Sequence, residues 1–362
     1  MSHPDPAPPR RVAVLGLGGT IAMTPTGDGG ATPALSAADL IAAVPGLAET
    51  SIIVETVEVA RLPGASLDFA RLAATAATAR KQIEAGASGA VVVQGTDTIE
   101  ETAYLLDLLH DRPEPLVVTG AMRHPGLAGA DGPANLLAAI TTAAHPDARG
   151  QGVLVVISDE IHAARRVRKT HTSSPATFCS PDSGPLGRVV EGTPVLLSRL
   201  AARNVLPLAD DVTWPQVGLL TITLGDDGRR WPALAEGYDG LVVAAFGAGH
   251  VPEATVPALA DLARRLPVVL ASRTGAGPVL SNTYGFPGSE SDLLARGLIR
   301  AGFLDPYKAR ILLTVLLATT RDRDTITSAF AAAGGYADPD TWPWPPSQTT
   351  GFTVERDADA RS

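Results

Sequence analysis

Segments typical of strands and segments typical of helices alternate along most of this chain, joined by short connections rich in glycine and proline. The apolar runs at 11–17, 90–94, 116–119 and 153–157 are typical of buried strands, and helical patterns stand between them. Such alternation implies strand–helix–strand units, which build a mainly parallel sheet covered by helices on both faces. The sequence therefore predicts an α/β fold.

This rhythm breaks once, in the segment "RNVLPLADDVTWPQ", and then resumes with three more apolar runs. We therefore predict a larger N-terminal α/β domain at 11–202, a linker at 203–216 and a smaller C-terminal α/β domain at 217–345. The polar ends of the chain, 1–10 and 346–362, are predicted to be disordered tails.

Composition and charge exclude several classes of protein. The 362 residues carry 29 basic and 38 acidic side chains, and a net charge of −9 argues against nucleic acid or an anionic membrane as the main partner. The single cysteine, Cys179, is unable to form an internal disulfide, which fits a reducing compartment. Neither a signal-peptide core nor a long apolar run of about 18 residues is present, so we predict a cytoplasmic protein.

The first candidate motif is "VAVLGLGGTIAMT" at 12–24, in which a strand runs into closely spaced glycines. This spacing partly fits a dinucleotide-binding loop, but Ile21 replaces its last glycine, so nucleotide binding is the weaker alternative. Thr20 follows the glycines at the carboxyl end of a strand, where open α/β sheets bind ligands. Thr20 either caps the turn or contacts a ligand.

The second candidate is "VVVQGTDTIEETAYLLDLL" at 91–109. Thr98 and Glu101 have the spacing of a capping box, in which both side chains satisfy free amides of the first helical turn. Thr96 and Asp97 precede the cap and are left without a structural role, although Asp97 could itself be the cap. Because the start of a helix favours negative charge, we expect these two residues to face a carboxylate or a developing oxyanion.

The third candidate is "RRVRKTHTSSPATF" at 165–178. Four basic residues in five positions are typical of a solvated surface. Lys169 is nevertheless notable, because the chain contains only two other lysines, Lys81 and Lys308, and otherwise uses arginine. Only lysine can lose its proton at accessible pH, so Lys169 is a candidate base or proton carrier if it lies near Thr96.

Other chemistries leave no pattern in the chain. There is no G-x-S-x-G elbow, no H-E-x-x-H motif and no Walker A loop, and the seven histidines lack the spacing of metal ligands. We therefore predict neither a metal site nor a cofactor.

Taken together, these stretches resemble the bacterial L-asparaginases that use a threonine nucleophile. The matching segments run in order along nearly the whole chain: "GGTIA" at 18–22, "QGTDTIEETAYLLDL" at 94–108, "VTGAMRHPGLAGADGPANL" at 118–136, "KTHTSSPATF" at 169–178 and "DPYKARILL" at 305–313. The resemblance implies the two-domain asparaginase-like fold and hydrolysis of L-asparagine to L-aspartate and ammonia without a cofactor. It also implies a homo-oligomer, either a dimer or a tetramer built from dimers.

The resemblance also implies roles for individual residues. Thr20 would attack the side-chain amide carbon and form an acyl-threonine, while Thr96, Asp97 and Lys169 would move protons and orient water. The substrate-binding residues would be Ser66 for the α-carboxylate, Asp97 for the α-ammonium group, Thr96, and the backbone of Ala121 beside the amide.

The chain departs from the family pattern at three places, all of which remove polar groups. Gly30 stands in place of the family's loop tyrosine, with Thr24 or Thr26 as possible substitutes. Leu67 replaces the glutamine after the carboxylate-binding serine, and Ala248 and His250 stand where an asparagine of the smaller domain is expected. These departures keep alternatives open. The alternative functions are a glutaminase or another small-amide hydrolase, an amidotransferase subunit (disfavoured by the short segment before the first strand), and an amino-acid sensor without turnover.

Overall fold

The computed structural model of the chain describes residues 9–25, 31–33, 35–209 and 211–344, without the side chains of residues 20, 23–25 and 31–33. In this part of the chain, eight strands form one large mixed sheet and four later strands form a smaller parallel sheet. Helices pack on both sheets, so the predicted α/β fold, with a larger N-terminal and a smaller C-terminal part, is confirmed.

The strands are β1 (Arg10–Gly16), β2 (Met23–Pro25), β3 (Ala31–Pro33), β4 (Ile52–Glu58), β5 (Gly89–Val93), β6 (Leu116–Thr119), β7 (Val153–Ile157), β8 (Glu160–Ala163), β9 (Arg168–Lys169), β10 (Phe178–Cys179), β11 (Gly187–Val190), β12 (Thr193–Leu196), β13 (Val217–Thr221), β14 (Gly240–Ala245), β15 (Val268–Ser272) and β16 (Ile299–Arg300). The helices are α1 (Ala37–Ala42), α2 (Phe69–Glu84), α3 (Ile99–Leu109), α4 (Gly132–Ala144), α5 (Trp231–Leu234), α6 (Val256–Arg265), α7 (Glu290–Ala295), α8 (Pro306–Thr319) and α9 (Arg323–Ala333).

The large sheet has the strand order β12-β11-β8-β7-β6-β5-β1-β4. Neighbours from β4 through β7 pair in parallel, whereas β8, β11 and β12 pair antiparallel. The sequence analysis did not predict these three antiparallel strands. Each has only four residues, and β11 and β12 are half exposed, so their apolar pattern is weak.

The order of strands places a ligand crevice between β1 and β5. From β1 the chain passes to β4 on one side and then crosses to β5 on the other, so the strand order reverses there. In open α/β sheets, ligands bind at such a reversal, beyond the carboxyl ends of the strands. The glycine-rich loop after β1 and the loop from Gly95 to Thr98 after β5 therefore open at the same edge.

The smaller sheet has the order β13-β14-β15-β16 and is entirely parallel. Helix α8 packs on β14 and also on α3 of the large sheet, so apolar side chains of both parts share one core. Strand β1 begins at Arg10, one residue before the predicted start of the 11–17 strand. Strand β13 begins at Val217. The domain limits 11–202 and 217–345 remain a proposal, and none of the described helices is long and apolar enough to cross a membrane.

A buried lysine joins the two parts of the chain. Lys308, near the start of α8, is fully buried. Its ammonium group donates to the carbonyl oxygen of Val167 at 2.6 Å and pairs with the carboxylate of Asp305 at 2.9 Å. Burial alone would raise the pKa of Asp305, but the adjacent Lys308 ammonium holds that pKa below its usual range.

We expect Lys308→Met to lower the free energy of unfolding by about 3–5 kcal/mol, because it leaves a buried carboxylate without its cation. The matched control is Lys81→Met, which removes an exposed ammonium group from the last turn of α2 and should change the stability by less than about 0.5 kcal/mol. Urea unfolding of both variants measures the difference. Equal losses would contradict a structural role for the Lys308 pair.

Candidate active site

Two glycines bring the loops after β1 and β5 into contact. Gly19 has a φ of +91°, and a Cβ atom placed on it would overlap the backbone N and Cα of Gly95. Only glycine permits this approach. The residues that follow, Thr20 and Thr96, each begin a short 3-10 turn, so the two candidate threonines occupy equivalent places on adjoining loops. The side chain of Thr20 lies outside the described part of the structure.

Thr96, Asp97 and Lys169 form one hydrogen-bonded group. The amine of Lys169 donates to Thr96 Oγ1 at 3.0 Å and to Asp97 Oδ1 at 2.7 Å. Thr96 is 5% exposed, and the side chains of Lys169 and Asp97 are 13% and 74% exposed. The lysine thus reaches across 73 residues of sequence to contact the short turn that precedes α3.

The direction of these bonds determines what the group can do. The amine donates to the oxygen of Thr96, and no described side chain accepts the hydroxyl hydrogen of Thr96, which can therefore be donated to a ligand. One oxygen of Asp97 accepts from Lys169, and its exposed carboxylate remains open to a cationic group of a ligand. The group therefore places one amine within hydrogen-bonding distance of both a hydroxyl and a carboxylate.

Thr98 does not cap α3, so the predicted capping box is wrong. Its hydroxyl donates to the carbonyl oxygen of Gly64 at 3.1 Å and receives a bond from Gln94 Nε2, and α3 has no side-chain cap. The threonine instead ties the loop after β5 to the turn Gly64–Ser66. This tie brings Ser66, an exposed residue, to the edge at which Thr96 lies.

The backbone after β6 packs against Thr96 and bounds the site on another side. A Cβ atom on Gly120 would lie 3.3 Å from the methyl group of Thr96, so Ala121 follows immediately after a backbone segment packed on the threonine. Ala121 is 1% exposed. Asn135, which the sequence analysis missed, donates to the carbonyl oxygen of Gly120 at 3.0 Å and accepts from the amide of Ser158. The sequence feature that points to Asn135 is its position on the buried face of an apolar helix, where a side-chain amide needs hydrogen-bond partners.

The arginines beside Lys169 are not a solvated face. Arg165 bonds to Asn204 and pairs with Asp107 at 3.5 Å, and its side chain is only 14% exposed. Arg168 is 20% exposed and lies 4.0 Å from the carboxylate of Glu100. Arg166 lies over the ring of Phe303 in the smaller part of the chain, so the basic run packs between the two parts, contrary to the interpretation favoured by its composition.

Two of the three departures from the family pattern lie among the described residues, in different surroundings. Leu67 packs on the main core and lines a cavity of about 100 Å³ between α2, α3 and α8. His250 bonds to the buried Glu290 at 3.1 Å and has edge-to-face contacts with Tyr284 and Phe286. Ala248 accepts a backbone bond at the same end of the smaller sheet.

Some of the departures lie outside what the structure describes. Thr26 and Gly30 fall between its described residues, and of Thr24 only the backbone is described. Among the described residues, no three His, Cys, Asp or Glu side chains converge as a metal site would require.

Comparison with known proteins identifies the family. The sequence profile of the family described as "Asparaginase, N-terminal" matches residues 11–201, and that of the "Glutaminase/Asparaginase C-terminal domain" matches residues 216–330. The chain belongs to the asparaginase family. The profile matches therefore cover both sheets, and the predicted resemblance is confirmed.

Individual relatives agree with this assignment. A "Probable L-asparaginase" of Deinococcus radiodurans is 38% identical over 90% of this chain and 98% of its own length. A "Glutaminase-asparaginase" of Pseudomonas aeruginosa is 32% identical over 88% of this chain and 89% of its own. The crystal structure of a "Probable Cytoplasmic L-asparaginase" from Campylobacter jejuni superimposes with a TM-score of 0.80 at 34% identity, over 89% of this chain and 99% of that one.

We expect Gly19→Ala to reduce turnover by about 100-fold or more, since the added methyl group pushes the two threonine loops apart. The matched control is Gly225→Ala, where φ is +87° but no atom lies within 4 Å of the new Cβ, so only backbone strain of about 1–2 kcal/mol is added. Steady-state rates on L-asparagine compare the two variants. A similar loss in both would show that strain, not the approach of the loops, limits activity.

Proposed function

We propose that this protein is an L-asparaginase that hydrolyses L-asparagine to L-aspartate and ammonia through an acyl-threonine on Thr20. Hydrolysis of asparagine is the activity for which the similar L-asparaginases are named, and the route through Thr20 is the one that the family resemblance implies. The observation that supports the route most directly is the group formed by Thr96, Asp97 and Lys169, beside the loop that carries Thr20.

In the first step the Thr20 oxygen attacks the carbon of the side-chain amide and forms an ester. The carbon–nitrogen bond breaks, and the hydroxyl proton of Thr20 ends on the nitrogen, which leaves as ammonia. Thr96 and Lys169 relay this proton, because the amine already contacts the Thr96 oxygen and the Thr96 hydrogen is free to be donated. A bare threonine hydroxyl is a weak nucleophile, so such assistance is required.

In the second step water adds to the ester carbon. Its hydroxyl remains on the aspartate product, its second proton returns to the Thr20 oxygen, and the enzyme is restored. Thr96 would orient this water, because it is only 5% exposed and its oxygen accepts a hydrogen bond from Lys169. No metal or cofactor is needed for either step.

Orientation of the substrate is assigned to the residues around this group. Ser66 would donate to the α-carboxylate, and the exposed carboxylate of Asp97 would hold the α-ammonium group. The backbone at Ala121 would bound the amide, since the preceding residue packs on Thr96. Holding both ends of a small amino acid fixes its amide at the nucleophile, which supplies a large part of the rate.

Variants of the threonines test this proposal. Thr20→Ala and Thr96→Val should each lower kcat for L-asparagine by about 10²–10⁴-fold, because each removes a hydroxyl used in proton transfer or attack. Thr98→Val, which removes a hydroxyl bonded only to structural partners, should keep most of kcat and raise KM through the Ser66 turn. Ammonia release from L-asparagine, L-glutamine and D-asparagine measures the effects.

Trapping with hydroxylamine distinguishes an acyl-threonine from direct attack by water. An ester intermediate partitions between water and hydroxylamine, so wild type should form the β-hydroxamate of aspartate while the rate of ammonia release stays constant. Ammonia without hydroxamate would contradict the ester. Full activity of Thr20→Ala would contradict the nucleophile, and ligand binding by a folded wild type without any product would favour the sensor.

Glutamine is the second candidate substrate, because a relative covering most of this chain is named for both amides. The two substrates differ by one methylene group, which an apolar pocket distinguishes by only about 1–3 kcal/mol. The ratio of kcat/KM for the two amides decides between them.

We also propose a cytoplasmic location and a homo-oligomer, either a dimer or a tetramer. The location is supported by the similarity to a structure titled as a cytoplasmic enzyme, and the assembly by the family resemblance of the sequence. Sedimentation of the purified protein measures the assembly.

A further inference from the structure

We infer that Glu100 is a positioning residue for Lys169. Its carboxylate holds the backbone of the strand that carries the amine, and so sets the distance between that amine and Thr96. The inference rests on the proposed function, because it concerns the rate at which the Lys169 and Thr96 group works. It adds a residue that neither contacts the substrate nor belongs to the group itself.

The geometry links Glu100 to both members of the contact. Glu100 lies four residues after Thr96, on the first turn of α3, and its Oε2 accepts the backbone amide of Lys169 at 3.1 Å. One turn of chain therefore carries the threonine and also the acceptor for the lysine backbone. A shift of the lysine strand away from α3 would lengthen this hydrogen bond.

The strand needs such an anchor because its own pairing is short. Strand β9 has two residues and, among the described strands, pairs only with β10, with Lys169 opposite Phe178. Two adjoining peptide groups are held by buried charges of opposite sign. The carbonyl of Val167 accepts from the Lys308 ammonium at 2.6 Å, and the amide of Lys169 donates to Glu100. Hydrogen bonds in which one partner is charged are generally stronger than neutral ones.

Burial raises the free energy of the ionised form of the Glu100 carboxylate. The side chain of Glu100 is 9% exposed, and burial raises its pKa, an effect that Lys308 and Arg168 oppose and Asp305 reinforces. The neighbouring Glu101 provides a comparison within the same helix. Burial raises its pKa as well, but it faces the cavity lined by Arg310 and makes no bond to the lysine strand.

The experiment compares these two glutamates in the full-length protein. We expect Glu100→Ala to lower kcat on L-asparagine about 10- to 100-fold with KM within about 3-fold, because the amine is displaced while the substrate contacts remain. Glu100→Gln should restore kcat to within about 3-fold of wild type, since the amide oxygen accepts the same backbone N–H. Glu101→Ala, the matched control, should leave kcat within the same range.

A second readout does not depend on activity. Hydrogen exchange at the backbone amide of Lys169 should be faster in Glu100→Ala than in wild type or Glu101→Ala, and unchanged in Glu100→Gln. Thermal unfolding monitors whether each variant is folded. If Glu100→Ala does not fold, the Gln variant decides the matter, with retained kcat and retained protection as the supporting result.

Three results would overturn the inference. They are a kcat of Glu100→Gln as low as that of a variant without any acceptor, equal kcat in folded Glu100→Ala and Glu101→Ala, and unaltered exchange at Lys169 in Glu100→Ala. A wild type that releases no ammonia contradicts the proposed function instead. The exchange measurement still decides whether Glu100 holds the strand in that case.

Discussion

The site depends on a contact between two stretches of backbone that have no side chains to separate them. Gly19 lies directly on Gly95, and this approach brings the loop after β1 against the loop after β5. The strand order reverses at this point, so the crevice already exists in the sheet. These glycines allow Thr20 and Thr96 to stand on adjoining loops, an approach that a methyl group on Gly19 would prevent.

The second requirement is a lysine held from two directions. Lys169 belongs to a strand too short to fix itself, and buried charges from α3 and α8 hold its backbone. In a chain that uses arginine almost everywhere, two of the three lysines take part in this arrangement. The compact ammonium group of lysine fits between a carboxylate and a single oxygen, whereas the planar fork of arginine requires a wider partner.

Local patterns in the sequence predicted the α/β alternation, the glycine loop and the grouping of Thr96 with Asp97, because each depends on residues close together in the chain. The capping box at Thr98 failed because the carbonyl of Gly64, distant in sequence, competes for its hydroxyl. Glu100 and Asn135 were missed for the same reason, since their partners lie 69 and 15 residues away. The solvated interpretation of Arg165 failed because composition does not report where a segment packs.

Helix α8 has a consequence for how the enzyme is made. The threonines, the aspartate and Lys169 all belong to the first half of the chain, but the cation that holds Val167 is Lys308, and it arrives from the last quarter. A ribosome that has translated only the first half of the chain has produced every reacting group, but not Lys308, whose ammonium group holds the backbone beside Lys169. We therefore expect catalytic competence to emerge late in synthesis, when α8 docks on the first half of the chain.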